Sequence, residues 1–359
     1  MTKMKNRCII LALIFIILTI NYVEADDWYL NGKSYFTVYD MKSKKKLFLT
    51  AWQVNIGDKY HSEDNKLYEI IKVEKGNIAY AKCLKDIKMP DISNVLEETV
   101  FKQEDVKKVG IYFTHTDESY IPTSGTASEW GNGDIIAVGK NFTNNLEKQG
   151  ITVILNKTRH DPHDAASYKR SRRTVFRMLL KQPDALFDLH RDGVPKEEYI
   201  TELNGETVSR IRIVLGRRNP NLMVNEELAL YIKAIADELY PGLVKDIYYG
   251  RGNYNQDLTP KSLLLEMGTY TLSQSQVNKS NKYLAEIIKK AVFGGLVGTR
   301  EVKGVQKSNK GAYKGLVTII FFVSLGSLLF LFISSSKKER KAKIEDIINR
   351  LLKFLNIRH

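Results

Sequence analysis

Three residues able to bind a metal or carry a proton stand at the ends of apolar runs that read as β-strands. His115 follows IYFT within THTDESY, His190 ends ALFDL within DLHRD, and Glu266 closes LLLE before Met267 and Gly268. Two imidazoles and a carboxylate delivered to one sheet edge suit a hydrolytic zinc centre, whose open position holds a water with its pKa lowered to about 7. Glu118, three residues after His115, is the nearest carboxylate able to fold back and complete the set, with Asp117 and Asp192 as competitors. The chain has only two cysteines, Cys8 and Cys83, which excludes a disulfide framework or a Cys-rich finger. A metal must therefore be held by histidine and carboxylate.

A second pair, His160 and His163 in TRHDPHD, also has ligand-like spacing. Pro162 between them argues for a loop, so the pair reads as flanking the centre or facing substrate, and it is the chief rival metal site. The segment GNYNQDLTPKSLLLEMG places Asn253, Asn255 and Gln256 shortly before Glu266, side chains suited to recognising amides. With Arg191, beside His190, they form the candidate substrate-binding set. The arginines of YKRSRRTVFR fit either a solvated helix face or recognition of carboxylates. His61, flanked by Asp58, Glu63 and Asp64, reads as a solvated histidine in a polar turn.

The elements that must position these groups follow from the hydrophobic pattern. From Val109 the runs GIYFT, ITVIL, DALFDLH, SRIRIVLG and KSLLLE alternate with helical periodicity around 134–148, 166–181, 222–239 and 280–293. That alternation predicts an α/β fold with a mostly parallel sheet and helices on both faces, and ligands in such folds bind beyond the carboxyl ends of strands. Asn204-Gly205 between two β-rich runs predicts a hairpin that makes the sheet mixed. Upstream, SYFTVYD, KLFLTAWQV, KLYEIIKVE and NIAYAKCL predict a small antiparallel β-rich module over 26–85, without catalytic residues, and 86–108 reads as a linker.

The chain is 359 residues long, 43% hydrophobic and 27% charged, with 55 Lys+Arg against 41 Asp+Glu and a formal net charge of +14. These proportions exclude a wholly disordered chain and a polytopic membrane protein. The N-terminus reads as a signal peptide or signal anchor over 1–25. Residues 315–334 are uncharged and match the roughly 20 residues that cross a bilayer, so a single transmembrane helix is expected there. A basic stem over 296–314 precedes it, and a basic amphipathic tail over 335–359 follows. These segments predict a single-pass C-terminal anchor in the cell membrane, with the 335–359 tail cytoplasmic and the catalytic domain extracytoplasmic. On that location the positive charge points to anionic wall or lipid, and no nucleic acid is expected as a partner.

The motifs THTDESYIPTSG, TRHD, YKRSRRTV, DLHRDG, VLGRRNPN, YPGL and YNQDLTPKSLLLEMG, in this order over residues 109–295, resemble those of the stage II sporulation protein P peptidoglycan hydrolases. The resemblance implies a phosphorylase/hydrolase-like mixed sheet with flanking helices, and a zinc-dependent N-acetylmuramoyl-L-alanine amidase that also cuts cross-linking peptides. It matches His115 and His190 to metal ligands and Glu118 to the acidic position of a His-x-x-Glu motif. Glu266 it matches to the glutamate that moves protons. In the broader amidases the metal glutamate comes from the start of the next helix, where this chain has only Glu129 and Asp134. The resemblance further implies a sporulation role with stage II sporulation proteins D and M as partners, alongside peptidoglycan and membrane. A catalytically silent wall-binding scaffold and an extracytoplasmic zinc peptidase are the alternative functions.

Overall fold

The computed structural model of the chain describes residues 34–96, 106–164 and 166–294. Its strands are β1 Phe36–Asp40, β2 Lys46–Thr50, β3 Lys59–His61, β4 Lys66–Glu74, β5 Ile78–Asp86, β6 Lys108–Tyr112, β7 Thr152–Leu155, β8 Ala185–Asp192, β9 Ile200–Leu203, β10 Glu206–Ser209, β11 Ile211–Gly216, β12 Val244–Gly250 and β13 Ser262–Thr269. The helices are α1 Ser93–Leu96, α2 Ile121–Ser124, α3 Asp134–Lys148, α4 Ser167–Leu179, α5 Leu222–Leu239 and α6 Gln274–Phe293.

Eleven strands form one sheet in the order β2-β1-β5-β4-β3-β12-β11-β13-β8-β6-β7. The central strands β8, β11, β12 and β13 are buried along their whole length, as the apolar runs in β8, β11 and β13 predict for a sheet covered on both faces. Helices α3, α5 and α6 pack into the larger core, through residues such as Phe142, Ile232 and Leu284. A second core on the sheet joins Phe48, Trp52, Tyr60 and Ile70 of the N-terminal strands to Val214, Tyr248, Tyr254 and Leu264 of the central ones.

The mixed α/β sheet with flanking helices agrees with the sequence reading, while its detail differs in three ways. First, the N-terminal strands are not a free-standing module. β3 pairs with β12, Tyr60 opposite Tyr248, so β1–β5 continue the central sheet. Second, Asn204 and Gly205 do form a hairpin turn, both with positive φ, but β9 and β10 make a separate two-stranded sheet. The central sheet is mixed because β13 runs antiparallel to β11 and parallel to β8. Third, no helix among the described residues is long and apolar enough to cross a membrane. The expected span over 315–334 lies outside the described residues, as do the signal segment, the stem and the tail. The membrane-anchored fold and function and the cell-membrane location built on that span are therefore withdrawn.

Candidate metal centre

Strands β6 and β8 are parallel neighbours, with Tyr112 opposite Asp188, and β13 lies beside β8 with Glu266 opposite His190. Parallel register thus brings the chain after β6, the end of β8 and the end of β13 to one edge. The segment 115–119 is fully turned into the protein. Gly133, the residue before α3, makes this possible: a Cβ there would stand 2.3 Å from the Glu118 carbonyl oxygen. Its N–H donates to Thr116 O at 2.8 Å, and the Ile135 N–H donates to Glu118 O at 3.0 Å. On β13, a bulge begins after Glu266, where Gly268 takes φ +80° and re-aims the strand end.

His115 is buried at the middle of the cluster. The His163 ring stacks on it with centroids 3.7 Å apart and planes 5° from parallel, and the His190 ring meets it at 5.1 Å and 82°. His163 Nδ1 donates to Asp117 Oδ1 at 3.1 Å, and Ser128 Oγ donates to Asp117 Oδ2 at 2.5 Å. Donor atoms of His115, Asp117 and His163 all lie within 4.8 Å of one another. Burial first, then the neighbouring His163 and His190, hold the His115 pKa well below its ordinary value, so its imidazole is neutral. Burial raises the Asp117 pKa, but its contacts with His163 and Ser128 outweigh that and leave it lowered, so it is anionic. A neutral imidazole and an anionic carboxylate are the forms that a divalent ion binds, and the N,O donor set fits zinc.

The other expected ligands form an adjoining group. His190 Nδ1 lies 3.5 Å from Glu118 Oε1, and its Nε2 lies 3.1 Å from Asp188 Oδ1. Burial opposes the imidazolium, yet Asp188 and Glu118 together push the His190 pKa well above the usual value. Two imidazoles 5.1 Å apart are therefore poised in opposite charge states. Glu118 also accepts the Arg191 backbone N–H through Oε2 at 2.8 Å. Asp188 is itself fixed by the Thr114 N–H at 2.8 Å and hydroxyl at 2.6 Å.

Glu266 is fully buried, and its Oε1 accepts the Trp52 indole N–H at 2.7 Å. Burial, reinforced by Asp192, pushes its pKa up to about 8. The aromatic rings of Trp52 and Tyr168 flank His190 at 6.4 and 6.3 Å, forming an apolar wall.

The structure gives the remaining candidates other work. Gln256 bridges Val214 O and the Gly216 N–H, both at 2.8 Å, and Asn255 Nδ2 donates to Tyr168 O and Ser171 Oγ. Arg191 donates to Ser119 O and Ala127 O, holding the loop after His115. Asn253 accepts the Asn255 and Gln256 backbone N–H groups. His160 braces Phe113 O at 2.7 Å and Thr174 Oγ1 at 2.8 Å, so of the TRHDPHD pair only His163 joins the cluster. Sequence reasoning missed two neighbours. Asp188 was detectable, because it precedes His190 by two positions and so shares its face of β8. Trp52, two residues past β2 and 214 residues from Glu266, left no such signal.

The family model for stage II sporulation protein P matches residues 33–289. The stage II sporulation protein P of Bacillus subtilis (strain 168) is 30% identical over 202 residues, covering 51% of this chain and 50% of that protein. The chain thus spans about half the length of the curated relative it matches. Among solved structures, the CwlD amidase from Clostridioides difficile in complex with the GerS lipoprotein is 12% identical, with a TM-score of 0.35 over 52% of this chain and 95% of that one. An N-acetylmuramoyl-L-alanine amidase from Clostridium difficile 630 is 19% identical, with a TM-score of 0.28 over 55% of this chain and 99% of that one.

Proposed function

The chain belongs to the stage II sporulation protein P family, and from this we propose that it is a zinc-dependent hydrolase of the N-acetylmuramoyl-L-alanine amide of peptidoglycan. The observation that carries the reading is the convergence of buried His115 and Asp117 with half-buried His163, beside Glu266 and His190. The zinc would be held by His115 with Asp117 and His163, whose donor atoms are close enough to share one ion. A second set, His115 with Glu118 and His190, is favoured by the 3.5 Å approach of His190 to Glu118 and by the register of His190 with Glu266. Bound zinc supplies an acidified water and a Lewis acid for the amide carbonyl.

The protein's own groups do the rest. Glu266 takes the proton of the attacking water and returns it to the leaving nitrogen, which a neutral amide requires in order to depart. A carboxyl held near pKa 8 keeps its proton readily at neutral pH, which suits the donating half of that cycle. In the second ligand set, Asp188 orients His190 from behind, as outer carboxylates do for metal-bound histidines. Trp52 and Tyr168 keep bulk water from the reacting groups. Cleavage of cross-linking peptides and cooperation with stage II sporulation proteins D and M remain part of this proposal, resting on the family resemblance.

The test is digestion of defined peptidoglycan by zinc-loaded protein, with products identified by mass. Free stem peptides beginning with L-alanine are expected, and Glu266→Gln should lower their release by about 10²–10⁴-fold. Undiminished release by that variant would reject the assignment, and products cut only between amino acids would point to a peptidase.

A further inference from the structure

We propose that Trp52 is a positioning residue of the catalytic centre: its indole N–H fixes one oxygen of Glu266 and thereby assigns the proton to the other. The inference rests on the reading of Glu266 as the proton carrier. Trp52 is 1% exposed, and its Nε1 donates to Glu266 Oε1 at 2.7 Å. Glu266 Oε2 has no hydrogen-bond partner among the described residues. Left alone, a glutamate carboxyl turns broadly about its last torsion, so its orientation must be supplied from outside. Indole is a donor only. It cannot accept from a protonated carboxyl, so the proton that Glu266 takes up sits on Oε2 in every turn of the cycle.

The anchor is itself held on three sides. The Ala51 N–H donates to Asp192 Oδ1 at 3.0 Å, and Arg212 Nη2 donates to Leu49 O at 3.2 Å. Arg212 Nη1 in turn donates to Asp192 Oδ2 at 3.0 Å, so both contacts trace back to one buried ion pair. The Tyr254 ring meets the indole edge-on, with centroids 5.1 Å apart. The segment 49–52, from strands with no catalytic residues of their own, thus reaches the centre as a rigid arm. The N-terminal strands therefore belong to the active site and are not an accessory beside it.

The test uses the full chain, zinc-loaded, on a defined peptidoglycan fragment. Two substitutions are compared: Trp52→Phe, and replacement of Trp52 by β-(3-benzothienyl)alanine, which keeps the shape and exchanges the N–H for sulfur. Both should lower kcat by about 10–100-fold, the penalty of a misplaced catalytic group, while KM and zinc content stay within about twofold. The isostere should also keep the melting temperature, which separates positioning from folding. In a Glu266→Gln background neither substitution should lower kcat further, because both act through the same carboxyl. An unchanged kcat for the isostere, with Glu266→Gln impaired, overturns the proposal, and so do losses that add in the double variant. Full activity of Glu266→Gln alone overturns the underlying reading of that residue.

Discussion

At the scale of single residues, charge state separates histidines that look alike in sequence. His115 is held neutral by burial, whereas His190 is held protonated between Asp188 and Glu118. Zinc content distinguishes the two ligand sets: with Asp117 and His163 as partners, His163→Ala should fall below half occupancy under conditions where His190→Ala remains loaded. The reverse order would assign the metal to Glu118 and His190. The polar turn around His61 suggests a solvated side chain, yet it is fully buried and bonded to Asn65 at 2.9 Å. Burial lowers its pKa from 6.5 to about 4. Between those values the unfolded chain binds a proton that the folded one refuses, so stability falls as pH drops through this window. The loss amounts to about 3 kcal/mol. Denaturant midpoints at pH 4 and 7 should therefore diverge more for the native chain than for His61→Gln, and parallel values would refute this.

At the scale of elements, apolar runs announced the strands that carry His190 and Glu266 and the one that leads into His115, because a sheet covered on both faces needs largely hydrophobic stretches. β12 escaped, since Lys245 and Asp246 interrupt VKDIYYG. Both are buried, and Asp246 accepts Arg212 Nε at 2.6 Å and Nη2 at 3.0 Å. Arg212 also reaches Asp192 and Leu49, so one guanidinium ties β11 to β12, β8 and β2. Replacing it with Met strands two buried carboxylates. A loss of about 3–5 kcal/mol is expected by denaturant titration, and a change under 1 kcal/mol would show that the carboxylates find other partners. The choice among Asp117, Glu118 and His163 was not legible, because it depends on how the chain after β6 folds against the Gly133 backbone. No periodicity encodes that contact.

At the scale of the whole molecule, the sequence suggested a catalytic region beginning at 109 and a separate β-module before it. Instead Phe48, Trp52 and Tyr60 pack against Val214, Tyr248 and Leu264 in one core. A fragment of residues 106–294 would expose that face and leave β12 as an open edge. It should lose cooperative thermal unfolding and bind hydrophobic dyes, whereas a sharp melt would show that the larger core suffices. The long reach of the Trp52 to Glu266 contact has one more outcome. A ribosome delivers tryptophan 52 more than two hundred residues before its glutamate. Under the proposed function, a truncated copy without β13 would lack Glu266, so the proton-handling group is put in place only when the last central strand joins the sheet.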